Sequence, residues 1–350
     1  MYAESRLILC LLSNNIKGSK QVKRLNSMVV SDQKTQSKTL GDWASIAISK
    51  HLQKIVKHEK DVLTGKNPED LHQMRVGMRR LRSAVTGFSP ALKLPKSATE
   101  KKIGKIARTL GSLRDLDVLG DALENDYKPS LPAKEQKYLQ KALLHLHKQR
   151  HSALVEVKET LHSKQYKLLK ESLTQWLQQP EYREIAKMPI GEVLPDLLLP
   201  NVSQLLLHPG WLVGGDAKIV ELELVEKILA KQGGLLHSLR KETKSIRYQM
   251  EVFSDFYGEN YAGYLEDIKA IQEILGKIQD SNVLTEFLTQ SLADNIKRSI
   301  PTLVSQLAIA NYDAWQQWQN LQIKYLSVDI RKGFHIAILE PNTSIASFNF

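Results

Sequence analysis

Leu71-His-Gln-Met-Arg-Val-Gly-Met-Arg-Arg-Leu-Arg82 is the stretch on which the reading of this chain turns. At 3.6 residues per turn, His72, Arg75, Arg79 and Arg82 fall within about 80° of one another on a helix. Leu71, Met74, Met78, Leu81 and Val85 gather on a neighbouring face, which suits burial in a bundle. The polar face is unusual, because the stretch holds four arginines (with Arg80) and no acid. Cations set along about 15 Å of helix repel each other unless something anionic lies across them. Arginine stays charged at any working pH, and its planar fork suits phosphate oxygens.

The same pattern returns 165 residues later as His237, Arg240, Lys244 and Arg247, with Tyr248 next in line. The same shift carries Phe88 onto Phe253. It also carries Leu110-Gly111-x-x-x-Asp115-x-x-Val118-Leu119 onto Leu275-Gly276-x-x-x-Asp280-x-x-Val283-Leu284. Two separated motifs agreeing at one offset point to internal duplication of a unit of about 150 residues. From Trp43 onward apolar residues recur three and four apart, so the expected fold is all-α. Two pseudo-symmetric helical bundles would turn their basic helices toward a shared groove.

Downstream of the first stripe, Lys101, Lys105 and Arg108 share a helix face. A further helix carries Lys134, Lys137, Lys141, His145 and Lys148 at spacings of three and four. Residues 131–170 hold nine Lys or Arg and three acids. This local excess makes the first half the expected centre of binding, because Glu273 stands where Arg108 would map. For the Lys134–Lys148 row, a plainly solvated face is an equal alternative. Asp115 and Asp117 read as structural carboxylates that hold arginines in place rather than as catalytic acids. The second copy has Asp280 and Asn282 there, and an amide serves badly as an acid.

The whole chain of 350 residues has 49 Lys+Arg against 38 Asp+Glu, a formal charge of +11, which suits a negatively charged partner. One cysteine, Cys10, permits no intramolecular disulfide and fits a cytoplasmic setting. The apolar run Leu7–Leu12 is too short for a secretory core or a membrane span. Neither His72 nor His237 has a second ligand three or four residues further along, so no metal and no cofactor are expected. An imidazole donating to phosphate is more economical. No nucleotide-binding loop or hydrolase motif is present. Glu221-Leu-Glu223 resembles the start of a triphosphate-tunnel strand but lies in a helical pattern. Interleaved aromatics, which would stack bases, are lacking apart from Tyr248.

Three segments resemble the CHAD family, the conserved histidine α-helical domain: Leu71–Arg82, Leu110–Val118 and Leu236–Tyr248. The resemblance covers roughly residues 40–320. It implies paired helical bundles whose basic helices bind inorganic polyphosphate without catalysis. The family's basic-helix positions correspond to His72, Arg75, Arg79, Arg82, His237, Arg240, Lys244 and Arg247. Gln279 replaces the first-half Arg114, which weakens any equal ion pair in the second half.

The expected layout is a poorly ordered leader at 1–38, a domain at 39–325 divided into repeats 39–200 and 201–325, and a tail at 326–350 holding a strand or irregular cap. Prolines 180, 189, 195, 200 and 209 read as the connection between halves. The expected ligand is polyphosphate, with polyphosphate granules or phosphate-metabolism enzymes as associated partners. Two alternatives stay open: the stripes grip a nucleic-acid backbone, or a stripe histidine accepts phosphate in an enzyme.

Overall fold

The computed structural model describes residues 38–215, 221–292 and 295–342, and the leader, apart from Lys38, lies outside them. Among these residues there are eleven α-helices and no β-strand, only the isolated bridges Thr39–Pro189 and Leu92–Tyr182. No described helix is long and apolar enough to cross a membrane.

Helix α1 (Leu40–Thr64) starts at a capping box in which Thr39 and Asp42 exchange hydrogen bonds. It stops at Gly65, whose φ of 69° is the left-handed conformation that glycine adopts most readily. Two residues later Asn67 caps α2 (Pro68–Gly87), accepting from the Glu69 amide at 3.0 Å, with Pro68 in the first turn. The α2 residues Leu71, Met74, Met78, Leu81 and Val85 are all buried, as their periodicity requires.

Helix α3 (Glu100–Asp121) packs beside α2. A π-helical turn, Ala122–Tyr127, then leads toward α4 (Ala133–His162) and α5 (Lys164–Gln178). The second set is α6 (Ile190–Leu206), α7 (Leu222–Phe253), α8 (Glu259–Leu292), the single turn α9 (Ile296–Ser299), α10 (Pro301–Leu326) and α11 (Val328–Leu339). Helices α2 and α7 pack against each other, while α4 contacts α8 and α10 contacts α7 and α8. Phe88 and Phe253, which the 165-residue shift equates, meet edge to face at 5.2 Å between centroids. Glu135 of α4 ties the outer helices together. Its buried carboxylate accepts from the Thr302 hydroxyl at 2.6 Å and amide at 3.1 Å, capping α10 from outside its own chain segment.

Two expectations give way. The proline-rich connection is half helix, since α6 runs through Pro195 and Pro200 and across residue 200. Burial of Val193, Leu194, Leu198, Val202 and Leu205 along one face outweighs the hydrogen bonds the prolines cannot make. The tail holds a helix rather than a strand or irregular cap. Phe334, Ala337 and Ile338 bury against α6, α8 and α10, and Phe334 stacks on Tyr264 at 4.7 Å. Their spacing of three and four is helical, and Gly333 interrupts it only by eye.

Candidate functional site

The crossing of α2 and α7 decides where the basic residues meet. Along the groove between α2, α3 and α7 runs a cleft of about 1030 Å³. Arg75, Arg79 and Arg82 of α2 line it, with Arg108 of α3 and Lys244 of α7. Two further cations join them, Lys241 of α7 and Arg183 of the α5–α6 connection. Hydroxyls of Ser83, Thr86, Ser112 and Ser245 fill the wall between them. Glu100 and Asp115 are the acidic residues of the lining.

Each stripe side chain is held differently. Arg79 lies over the Tyr248 ring, 4.2 Å from its centroid, and donates to the Tyr248 hydroxyl at 3.0 Å. Its buried Nε has no hydrogen-bond partner, and burial, then the neighbouring Arg75 and Arg247, lowers its pKa against the pull of Tyr248 and Glu251. Arg75 reaches Asp115 at 3.6 Å, and Arg82 pairs with Glu100. Arg247 donates to Glu251 at 2.9 Å, one turn along its own helix. Residues 71–82 supply no acid of their own, and the carboxylates that meet Arg75 and Arg82, Asp115 and Glu100, both come from α3.

Lys244 sits where the two stripes meet. Burial, then the adjacent Arg75 and Arg240, pushes its pKa down to about 8, with Asp115 opposing. His72 is held below the usual imidazole range by burial first. Arg114 and Arg75 add to this, and Glu69 pulls the other way. Buried Arg240 Nε and His237 Nδ1 have no hydrogen-bond partner.

The remaining expected residues divide. Lys101 and Lys105 are exposed on α3 and do not line the cleft. Lys137, Lys141 and Lys148 are exposed on α4, where Lys148 borders a shallow depression with His145, Gln149 and Glu156. Asp117 is 4% exposed and accepts from Arg150 Nε of α4 at 2.6 Å. Asp115 is 75% exposed and opens onto the cleft. Asp280 is exposed on α8 and interacts electrostatically with Arg240. Sequence reasoning missed Arg183, Lys241, Glu100, Glu251 and Arg150. Only Glu251 carried a signal, standing four residues after Arg247. Among the described residues no group of three or more His, Cys, Asp or Glu could hold a metal ion.

No curated protein matches the chain by sequence. Among solved structures, the CHAD domain from the plant Ricinus communis matches with a TM-score of 0.55 and 23% identity, covering 87% of this chain and 97% of that one. PptA from Streptomyces chartreusis matches with a TM-score of 0.51 and 16% identity, covering 87% and 100%. At such identities the likeness concerns the fold. The family model for the CHAD domain matches residues 46–289, which includes both stripes and both Leu-Gly motifs, and the chain therefore belongs to the CHAD family.

Proposed function

We propose that the chain binds inorganic polyphosphate in the α2/α3/α7 cleft and catalyses no reaction on it. The charge of the cleft carries this reading: seven cations line it against two carboxylates, and both carboxylates are already engaged with arginines. A chain of phosphates offers every guanidinium two oxygens and needs no pocket for a base or sugar. The resemblance to the CHAD family supports the same ligand. Tyr248, the aromatic ring of the lining, has Arg79 over it, which weighs against base stacking and hence against nucleic acid.

The contacting residues in this reading are Arg75, Arg79, Arg82, Arg108, Lys244, Lys241 and Arg183. His72, His237, Arg240 and Arg247 support them from the crossing. The exposed lysines of α3 and α4 serve as outer contacts for a chain long enough to leave the cleft. A cytoplasmic place beside polyphosphate granules or phosphate-metabolism enzymes belongs to the same proposal.

The test is a titration with long-chain polyphosphate at near-physiological salt, with RNA as competitor. Tight binding that RNA does not displace at equal phosphate concentration supports the reading. Absent binding, or equal displacement, returns the cleft to a generic cationic surface. Polyphosphate of unchanged length after long incubation with Mg²⁺ supports binding without hydrolysis, and shortening overturns it. Acid-labile phosphate that disappears in His72→Ala would instead make that histidine an acceptor.

A further inference from the structure

Arg75 and Arg82 are seven residues apart on α2, and Gly104 and Gly111 are seven apart on α3. In the structure the two pairs meet in reverse order. A Cβ at Gly104 would lie 3.2 Å from Arg82 Nε and 3.3 Å from its Cζ. A Cβ at Gly111 would lie 3.7 Å from Arg75 Nε. The helices thus run antiparallel with each arginine laid across a glycine. The second half repeats one of these seats, for a Cβ at Gly276 would lie 3.5 Å from Arg240 Nε. Arg75 and Arg240, and equally Gly111 and Gly276, are equated by the same 165-residue shift.

The other seat is missing. The shift carries Gly104 onto Lys269, a side chain that pairs with Glu266 at 2.6 Å. The arginine that would have used this seat, Arg247, donates to Glu251 on its own helix and is absent from the cleft lining. A buried helix-interior glycine is a poor choice for helix stability, so Gly104, where a Cβ would crowd Arg82, requires a reason.

We propose that Gly104 is a positioning residue. By lacking a Cβ it leaves the room in which the Arg82 guanidinium lies against α3 at the cleft, whereas Gly111 and Gly276 would hold a Cβ at ordinary contact distance from Arg75 and Arg240. The inference rests on the polyphosphate reading for its ligand.

The test is a double-mutant cycle of Gly104→Ala and Arg82→Ala, with thermal unfolding and polyphosphate titration on each protein. Gly104→Ala adds helix propensity, so its unfolding temperature stays level or rises. Its affinity should nevertheless fall, by about tenfold, the worth of one charge-assisted hydrogen bond. In the Arg82→Ala background the same glycine change should cost no affinity. Wild-type affinity in Gly104→Ala, or an equal loss without Arg82, overturns the proposal. If Gly104→Ala loses stability and affinity together, the Arg82→Ala background decides, and additivity of the two affinity losses overturns the proposal. A wild-type protein that ignores polyphosphate would sink the functional reading itself, a distinct outcome.

Discussion

The α2/α3 pair and the α7/α8 pair begin from the same pattern and end with different surfaces. On α3 the face toward α2 reads Gly104, Arg108, Gly111, Asp115. On α8 the matching face reads Lys269, Glu273, Gly276, Asp280. Three stripe arginines of α2 line the cleft, whereas from the α7 stripe Lys244 does. The stripe therefore does not specify a binding surface alone. The arginines differ in where their carboxylate partners come from: Asp115 and Glu100, which meet Arg75 and Arg82, are α3 residues in the cleft lining, whereas Glu251, which meets Arg247, lies on the same helix as Arg247.

The strongest way to break this comparison is to remove the stripes separately. Arg75→Ala with Arg79→Ala should weaken polyphosphate binding by about 2–4 kcal/mol, and Arg240→Ala with Arg247→Ala by about 1 kcal/mol, in titrations at one salt concentration. By analogy with nucleic acids, the first pair should also flatten the dependence of log affinity on log salt by about two contacts, and the second by less. Equal losses would make the two halves equivalent binders.

Stability should divide along the same line. Asp117→Ala strips Arg150 of its buried partner and should cost about 3 kcal/mol in denaturant unfolding with little change in affinity. Asn282, its counterpart on α8, should cost less when changed to Ala. Asp115→Ala, removing an exposed acid 3.6 Å from Arg75, should cost under about 1 kcal/mol and strengthen binding slightly.

Lys244 ties the two halves together through pH. Its folded pKa is depressed to about 8 from 10.5, so between those values the unfolded chain holds a proton that the folded protein has released. Stability attributable to this group therefore rises with pH across that window, and below about 8 the penalty is fully present. Polyphosphate favours the charged form, so affinity should decline as pH passes 8. Lys244→Gln should flatten both profiles, and unaltered profiles would remove Lys244 from the crossing.

The smallest effect tests the pairing of Arg247. Glu251→Gln frees this guanidinium and should strengthen binding about threefold, a fraction of a charged hydrogen bond. If Glu251→Gln weakens binding instead, the carboxylate was holding Arg247 in a productive pose.

Much of the site was legible in the chain. Periodicity located α2 and α7, and the fixed offset tied the His-x-x-Arg and Leu-Gly motifs to each other before any contact was known. Asp117 read correctly as a carboxylate near arginine, though its partner, Arg150, lies on α4, thirty-three residues away. Asp115 also lies beside an arginine, Arg75 at 3.6 Å, but helical phase alone cannot say that its neighbours leave it open to the cleft. The α4 lysines lie off the cleft lining, which their row could not foretell: a basic row records a charged face and not the direction in which that face points.

The sequence by itself determined the helical fold, the family and which side chains share a basic face, since these follow from spacing along one helix at a time. Tertiary structure decided which of them line the cleft. Arg183 reached the cleft through a connection with no periodicity, Glu100 reached Arg82 from a neighbouring helix, and Lys244 lost its ordinary pKa only when α2 and α7 crossed. Coulomb interaction and desolvation act between groups brought close in space, and chain separation does not report that distance.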